Sequence, residues 1–137
     1  MNPLDRLPHK APALFLESVL EYSTAGARCS IARTLHPSLA KDGAMPACLG
    51  LEAMAQCAAV WLAMGHPEDE ARGMLVQCRD FVMNKRYLDI SAGLVASCTP
   101  VSTGSGTGLN QFTGCIENAQ GDTLCTASFI ILAHSAK

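Results

Sequence analysis

The chain has 137 residues, enough for one ordinary domain with a real core and too few for two, so a single domain over 1–137 is expected. Hydrophobic residues make up 49% and charged residues 16%, which excludes a disordered chain and predicts a surface partly covered by another subunit. Ten Lys and Arg against twelve Asp and Glu give a net charge of -2 with no runs of either sign, which excludes nucleic acid and anionic membrane surfaces as partners.

The N-terminal MNPLDRLPHK places Asp5 and two prolines where a secretory signal needs an unbroken apolar run, and the expected compartment is the cytoplasm. Next, ALFLESVLEY (13–22) and ARCSIARTL (27–35) read as a pair of strands turned at Thr24 to Gly26. Seven cysteines, at 29, 48, 57, 78, 98, 115 and 125, are odd in number, never fall as C-x-x-C and mostly lie inside apolar runs. They read as small buried hydrophobes in a reducing compartment, with no disulfide framework, no metal site and no cofactor implied.

MPACLGLEAMAQCAAVWLAM, Met45 to Met64, is nearly uncharged for twenty residues, yet Glu52 sits close to its middle. A membrane span is rejected: Ala, Gly and Cys are weakly hydrophobic, and a charge near the centre of a span costs ~2.5–3.5 kcal/mol. The segment predicts a soluble helix over Pro46 to Met64, with Pro46 in the first turn and Gly65 then Pro67 as the stop. A helix apolar all round must be buried all round, and in so small a domain only a sheet wrapped about it achieves that.

After the helix, GMLVQCRDFVMN (73–84), YLDISAGLVASCTPV (87–101), GLNQFTGCIENA (108–119) and TLCTASFIILA (123–133) read as four strands. The glycines of GSGTG (104–108) join the second run to the third. That segment lacks G-x-x-x-x-G-K-[ST], so a hairpin is preferred to a phosphate loop. Gly121 and Asp122 in NAQGDT join the third run to the fourth as a tight hairpin. Two strands, a long helix and four strands is the element order of the hotdog fold, an α+β fold whose antiparallel sheet curls round one helix.

Two motifs carry a resemblance over almost the whole chain. LPHKAPALFLESVLEY (7–22) resembles the opening of the 3-hydroxyacyl-acyl-carrier-protein dehydratases, and MPACLGLEAMAQ (45–56) resembles the start of their central helix. The resemblance implies that Glu52 assists departure of the 3-hydroxyl as the helix carboxyl group. An acid in apolar surroundings can stay protonated and act as a general acid. It also implies a C2 base fourteen residues earlier, where this chain has Ser38 in LHPSLAKDGAMP; His36 lies two residues away. At the glycine whose N–H polarises the thioester carbonyl in that family, this chain has Ala47. Lacking the standard histidine motif, the sequence is similar to the small hotdog dehydratases of aryl-polyene-type biosynthesis.

The expected site is therefore Glu52 and His36 as catalytic residues, with Met45, Pro46, Ala47, Cys48, Gln56 and Ser38 around the substrate. The implied substrate is a 3-hydroxyacyl group carried on acyl carrier protein, and the implied assembly is a homodimer or a heteromer with a second hotdog subunit. Gln56, one turn after Glu52, reads as a supporting residue. His9 reads as structural, and His66 and His134 as solvated. Cys48 adjoins the helix N-terminus without a base at a recognisable spacing. Three readings stand: a dehydratase, a non-catalytic partner that shapes the acyl tunnel of another subunit, and an acyl thioesterase.

Overall fold

The computed structural model describes residues 3–7, 14–65, 71–103 and 108–135. A 3-10 turn at Pro3–Arg6 precedes β1 (Leu16–Ser23) and β2 (Gly26–Ile31), which form the expected hairpin around residues 24 and 25. There follow β3 (Ala44–Pro46), helix α1 (Leu49–Gly65), β4 (Ala71–Met83), β5 (Tyr87–Asp89), β6 (Val95–Thr103), β7 (Leu109–Glu117) and β8 (Thr123–Ser135). Six strands make one antiparallel sheet in the order β1-β2-β6-β7-β8-β4, and β3 pairs with β5 as a separate ribbon. Helix α1 packs against every strand of the six-stranded sheet, which is the expected hotdog architecture.

Period-two alternation explains the sheet. Asn110, Phe112 and Ile116 of β7 are buried while Leu109, Gln111 and Thr113 are exposed, so one face meets α1 and the other faces outward. Ala127, Phe129 and Ile131 of β8, Ala96 and Cys98 of β6, and Ala27, Cys29 and Ile31 of β2 extend the inner face. The helix answers with Met54, Cys57, Ala58 and Val60, each 0% exposed. Phe112 stacks on Phe129 with ring centroids 5.7 Å apart and meets the edge of Trp61 at 5.8 Å. Burying each large side chain of this set stabilises the fold by ~1.5–3 kcal/mol.

Two boundaries differ from the sequence reading. The helix begins at Leu49 rather than Pro46, because Pro46 closes β3 opposite Tyr87 and the Ala47 N–H donates to the Arg86 carbonyl at 2.8 Å. Ribbon pairing from distant residues thus takes the positions that local preference assigns to a first helical turn. The run 87–101 is also not one strand. Asp89 caps a 3-10 turn at Ile90–Ala92, accepting from the Ser91 N–H at 2.9 Å, and Gly93 leaves that turn in the left-handed region at φ 72°.

The β7–β8 connection is the expected hairpin. Asn118 Oδ1 accepts from the amides of Gln120 and Asp122 at 3.1 and 3.0 Å, and Gly121 supplies a φ of 84°. β6 and β7 pair up to Thr103 and Asn110, as the hairpin reading of GSGTG requires; residues 104–107 lie outside the described residues. His9, His66 and the side chain of His134 lie outside them too. Among the described residues, no helix is long and apolar enough to cross a membrane.

Candidate active site

Glu52 stands in the first turn of α1 and is half-buried. One turn later, on the same face, Gln56 is 0% exposed although its amide is polar. Both ends of that amide are engaged. Gln56 Oε1 accepts from the Phe15 N–H at 2.9 Å, and Gln56 Nε2 donates to Glu52 Oε1 at 3.3 Å. Phe15 lies just before β1, so the N-terminal arm reaches across to the helix at this point. Its carbonyl accepts from the Ala32 N–H at 2.9 Å, just past the end of β2.

The approach to the helix holds Met45 to Cys48. Met45 and Ala47 are 0% exposed, Pro46 is half-buried and Cys48 is exposed. The Ala47 N–H, the sequence candidate for polarising a thioester carbonyl, is already donated to the Arg86 carbonyl. Its own carbonyl accepts from the Gly50 N–H at 2.9 Å, closing the first turn.

His36 and Ser38 lie together in the exposed segment between β2 and β3. The His36 Nδ1 and Ser38 Oγ atoms are 2.7 Å apart, and the Ser38 N–H donates to the same nitrogen at 3.1 Å. A nitrogen that accepts from an amide carries a lone pair, so the neutral ring holds its proton on Nε2 and the Ser38 hydroxyl donates to Nδ1. The His36 carbonyl accepts from the Leu39 and Ala40 amides, which fixes the turn, and Leu35 and Leu39 pack against the core on either side.

Glu52 and Gln56 are thus joined directly and His36 and Ser38 are joined directly, as two separate hydrogen-bonded pairs. The sequence singles out all four residues. It gives no sign of Phe15, Ala32 or Arg86, whose backbone groups hold these pieces in place, because backbone partners carry no side-chain signature. On the outer face of the sheet, Asp80, Ser97, Thr113, Cys115, Thr126 and Ser128 line a shallow groove of about 350 Å³. None of the site residues lines it.

A helix packed on a curled antiparallel sheet, with a half-buried carboxyl group in its first turn, defines the hotdog class of dehydratases and thioesterases. Within that class the chain belongs to the ApeP-like dehydratase family, whose pattern matches residues 1–135. The chain is similar to one in the ApeI:P dehydratase heterocomplex from Xenorhabdus doucetiae, with 25% identity, a TM-score of 0.84 and coverage of 100% of this chain and 93% of that one. It shares the fold of a thioesterase from Haemophilus influenzae (9% identity, TM-score 0.66, covering 86% and 78%). It also shares that of a hypothetical thioesterase protein from Streptococcus pneumoniae solved with coenzyme A (14%, 0.65, 88% and 87%). No curated protein matches the chain significantly.

Proposed function

We propose that the chain is one hotdog domain that binds 3-hydroxyacyl groups on acyl carrier protein in the cytoplasm and takes part in their dehydration. The observation that carries this reading is Glu52, held on α1 by Gln56 in a chain of the dehydratase family. Glu52 gives its proton to the departing 3-hydroxyl, so that the C3–O bond breaks and water leaves. A base removes the C2 proton, and the electron pair of the C2–H bond forms the double bond of a 2-enoyl thioester.

Ser38 and His36 act as that base together. A serine hydroxyl alone cannot take up the C2 proton near pH 7, but the lone pair of the neutral His36 ring faces Ser38 Oγ at 2.7 Å. Oγ receives the C2 proton as its own passes to Nδ1, leaving an imidazolium ring. General-base assistance of this kind is worth about 10²–10⁴-fold in rate.

A second reading has a specific support: the ApeI:P structure is a heterocomplex of dehydratases. In that reading the partner subunit supplies the base, and this chain shapes the acyl tunnel. Turnover of a 3-hydroxyacyl thioester, measured with the chain alone and with a second hotdog subunit, separates the two. If the Ser38–His36 pair is the base, His36→Ala and Ser38→Ala each remove most of the activity of the lone chain, and Glu52→Gln abolishes it. If a partner supplies the base, the lone chain is nearly inactive, activity appears on mixing, and His36→Ala is silent. Normal dehydratase rates from the lone chain, unharmed by His36→Ala, would defeat both accounts of the base. Release of free acid instead of enoyl thioester would identify a thioesterase.

A further inference from the structure

We infer that the groove on the outer face of the sheet binds a small organic cation, one carrying a guanidinium or primary ammonium group, with Asp80 as its counter-ion. The groove lies on the face turned away from α1, and its chemistry is independent of the role given to Glu52.

Strand register builds the site. β4 pairs Arg79 with Ser128 and Val82 with Thr126, which leaves Asp80 and Phe81 together opposite the single residue Ala127. Phe81 takes the inward place and packs against the core, so the extra residue of the bulge, Asp80, is put out on the groove side. Its φ of 52° lies in the left-handed region, which Asp tolerates better than most residues. Across the neighbouring strands the register sets small side chains in two rows, Ser97, Cys115 and Thr126 in one and Thr99, Thr113 and Ser128 in the next. Because these side chains are small, they leave a volume of about 350 Å³, within the range of ~300–1,000 Å³ that small ligands occupy.

The polar groups of the groove are short of hydrogens. Each hydroxyl brings one hydrogen and two lone pairs, and the Asp80 carboxylate brings acceptors alone. Among the described residues, the side chains of Asp80, Thr99, Thr113, Thr126 and Ser128 have no hydrogen-bond or ion-pair partner. Both described arginines of this face are turned elsewhere. In the amide orientation that puts its oxygen toward the guanidinium, Gln77 accepts from Arg79 Nε at 3.0 Å and Nη2 at 3.2 Å. Arg28 Nη1 bonds to Glu21 Oε1 at 3.3 Å, and the Cys115 thiol donates to Glu117 Oε1 at 3.4 Å. A complementary ligand therefore brings surplus N–H groups and a positive charge, which describes an ammonium or guanidinium group. One carboxylate among neutral hydroxyls is a poor cage for a divalent metal ion, and among the described residues no cluster of His, Cys, Asp and Glu could hold one.

Agmatine, which carries both groups, is the probe, added to the full-length protein with two readouts: the NMR shifts of the Thr113, Thr126 and Ser128 amides, and the rate at which iodoacetamide alkylates Cys115, followed by mass spectrometry of peptides. A groove open on one side holds a cation weakly, so agmatine at about 1–10 mM is expected to move the amides and slow the alkylation. Butylurea, neutral and similar in shape, and sodium chloride at matched ionic strength leave both readouts unmoved. Asp80→Asn keeps a side chain suited to the left-handed backbone and removes the charge, and it weakens agmatine binding at least about tenfold. Thr113→Val, which removes one acceptor and keeps the shape, weakens it by a smaller factor. A parent protein that does not respond to agmatine overturns the inference. So does an equal response to butylurea, or agmatine binding at full strength in Asp80→Asn. If another protein subunit protects Cys115 and agmatine does not, the groove is an interface between proteins, and the small-ligand site is overturned as well.

Discussion

Gly114 of β7 lies directly under the sulfur of Met54 on α1: a methyl group added at Gly114 would stand 3.1 Å from Met54 Sδ and 2.9 Å from Phe129 Cε1. It would also stand 3.0 Å from the Ser97 carbonyl oxygen, which is backbone and cannot swing aside. The missing side chain is what lets the helix sit this close to the middle of the sheet. Ala in place of Gly stiffens the unfolded chain, a gain of about 0.4–1 kcal/mol. Overpacking of a filled core costs about 1–3 kcal/mol and wins. Gly114→Ala is therefore expected to lower the denaturant midpoint, read by fluorescence of Trp61, the single tryptophan of the chain. A raised midpoint would show that the helix–sheet interface has room to spare.

How legible such features are depends on the range of the interaction. The helix was plain in the sequence because twenty residues without a polar face have only one way to be buried, and the Glu52–Gln56 bond follows from their spacing of one turn. The helix starts three residues later than local preference predicts because Pro46 belongs to a ribbon completed by Tyr87, forty-one positions away. β3 and β5, three residues each, are too short to show any alternation. Gln56 and Phe15 are also forty-one residues apart, so their bond had no local signal. His36 and Ser38 were both visible as candidates, but the turn that closes one on the other was not.

Cysteine reactivity should follow burial. Cys29, Cys57, Cys98 and Cys125 are buried, whereas Cys48 is exposed beside the helix start. The Cys57 thiol is pushed well above its ordinary value, first by the side-chain hydrogen bond with Cys29, then by that with Cys98 and by burial. Burial pushes the Cys125 thiol up to about 11. A maleimide at neutral pH is expected to label Cys48 first, and the four buried cysteines only after denaturant, as read by mass spectrometry of peptides. Prompt labelling of Cys57 in the native protein would contradict the packing of α1 on β2 and β6.

The cap at Asp89 gives a pH dependence with a fixed sign. Its carboxylate accepts from the Ser91 hydroxyl at 2.6 Å and the Ser91 N–H at 2.9 Å, and these bonds hold its titration below the ordinary value of 3.8. A group depressed in the folded state stabilises above its unfolded value and loses that contribution as pH falls through the folded one. Asp89→Ala is thus expected to lower the melting temperature at pH 7 and to have little effect near pH 2, where the parent protein has lost the same bonds. An equal loss at both pH values would mean that the side chain acts by packing and not by charge.

Assembly is expected to use one end of the sheet, because among the described residues β4 is an edge strand. β4 pairs with β8 along one side and closes the strand order on the other. Along this strand and just beyond it, Val76, Val82, Met83 and Tyr87 are 46%, 51%, 47% and 62% exposed. Among the described residues the outer edge of this thirteen-residue strand has no partner strand, and although exposed Arg79 and Asp80 and a bulge sit at its middle, the apolar side chains on either side make it a template for another strand. Tyr87 stands opposite Pro46 in the ribbon that leads into the helix, so a subunit covering this edge would also reach the approach to Glu52. Val76→Lys with Val82→Lys places two like charges on the edge and is expected to shift the protein toward monomer, with its circular dichroism unchanged. Light scattering at micromolar concentration measures it, with the chain alone and with a second hotdog subunit. If the doubly charged protein assembles as well as its parent in both cases, β4 is not the interface. If the parent is a stable monomer in both, the open edge has some other use.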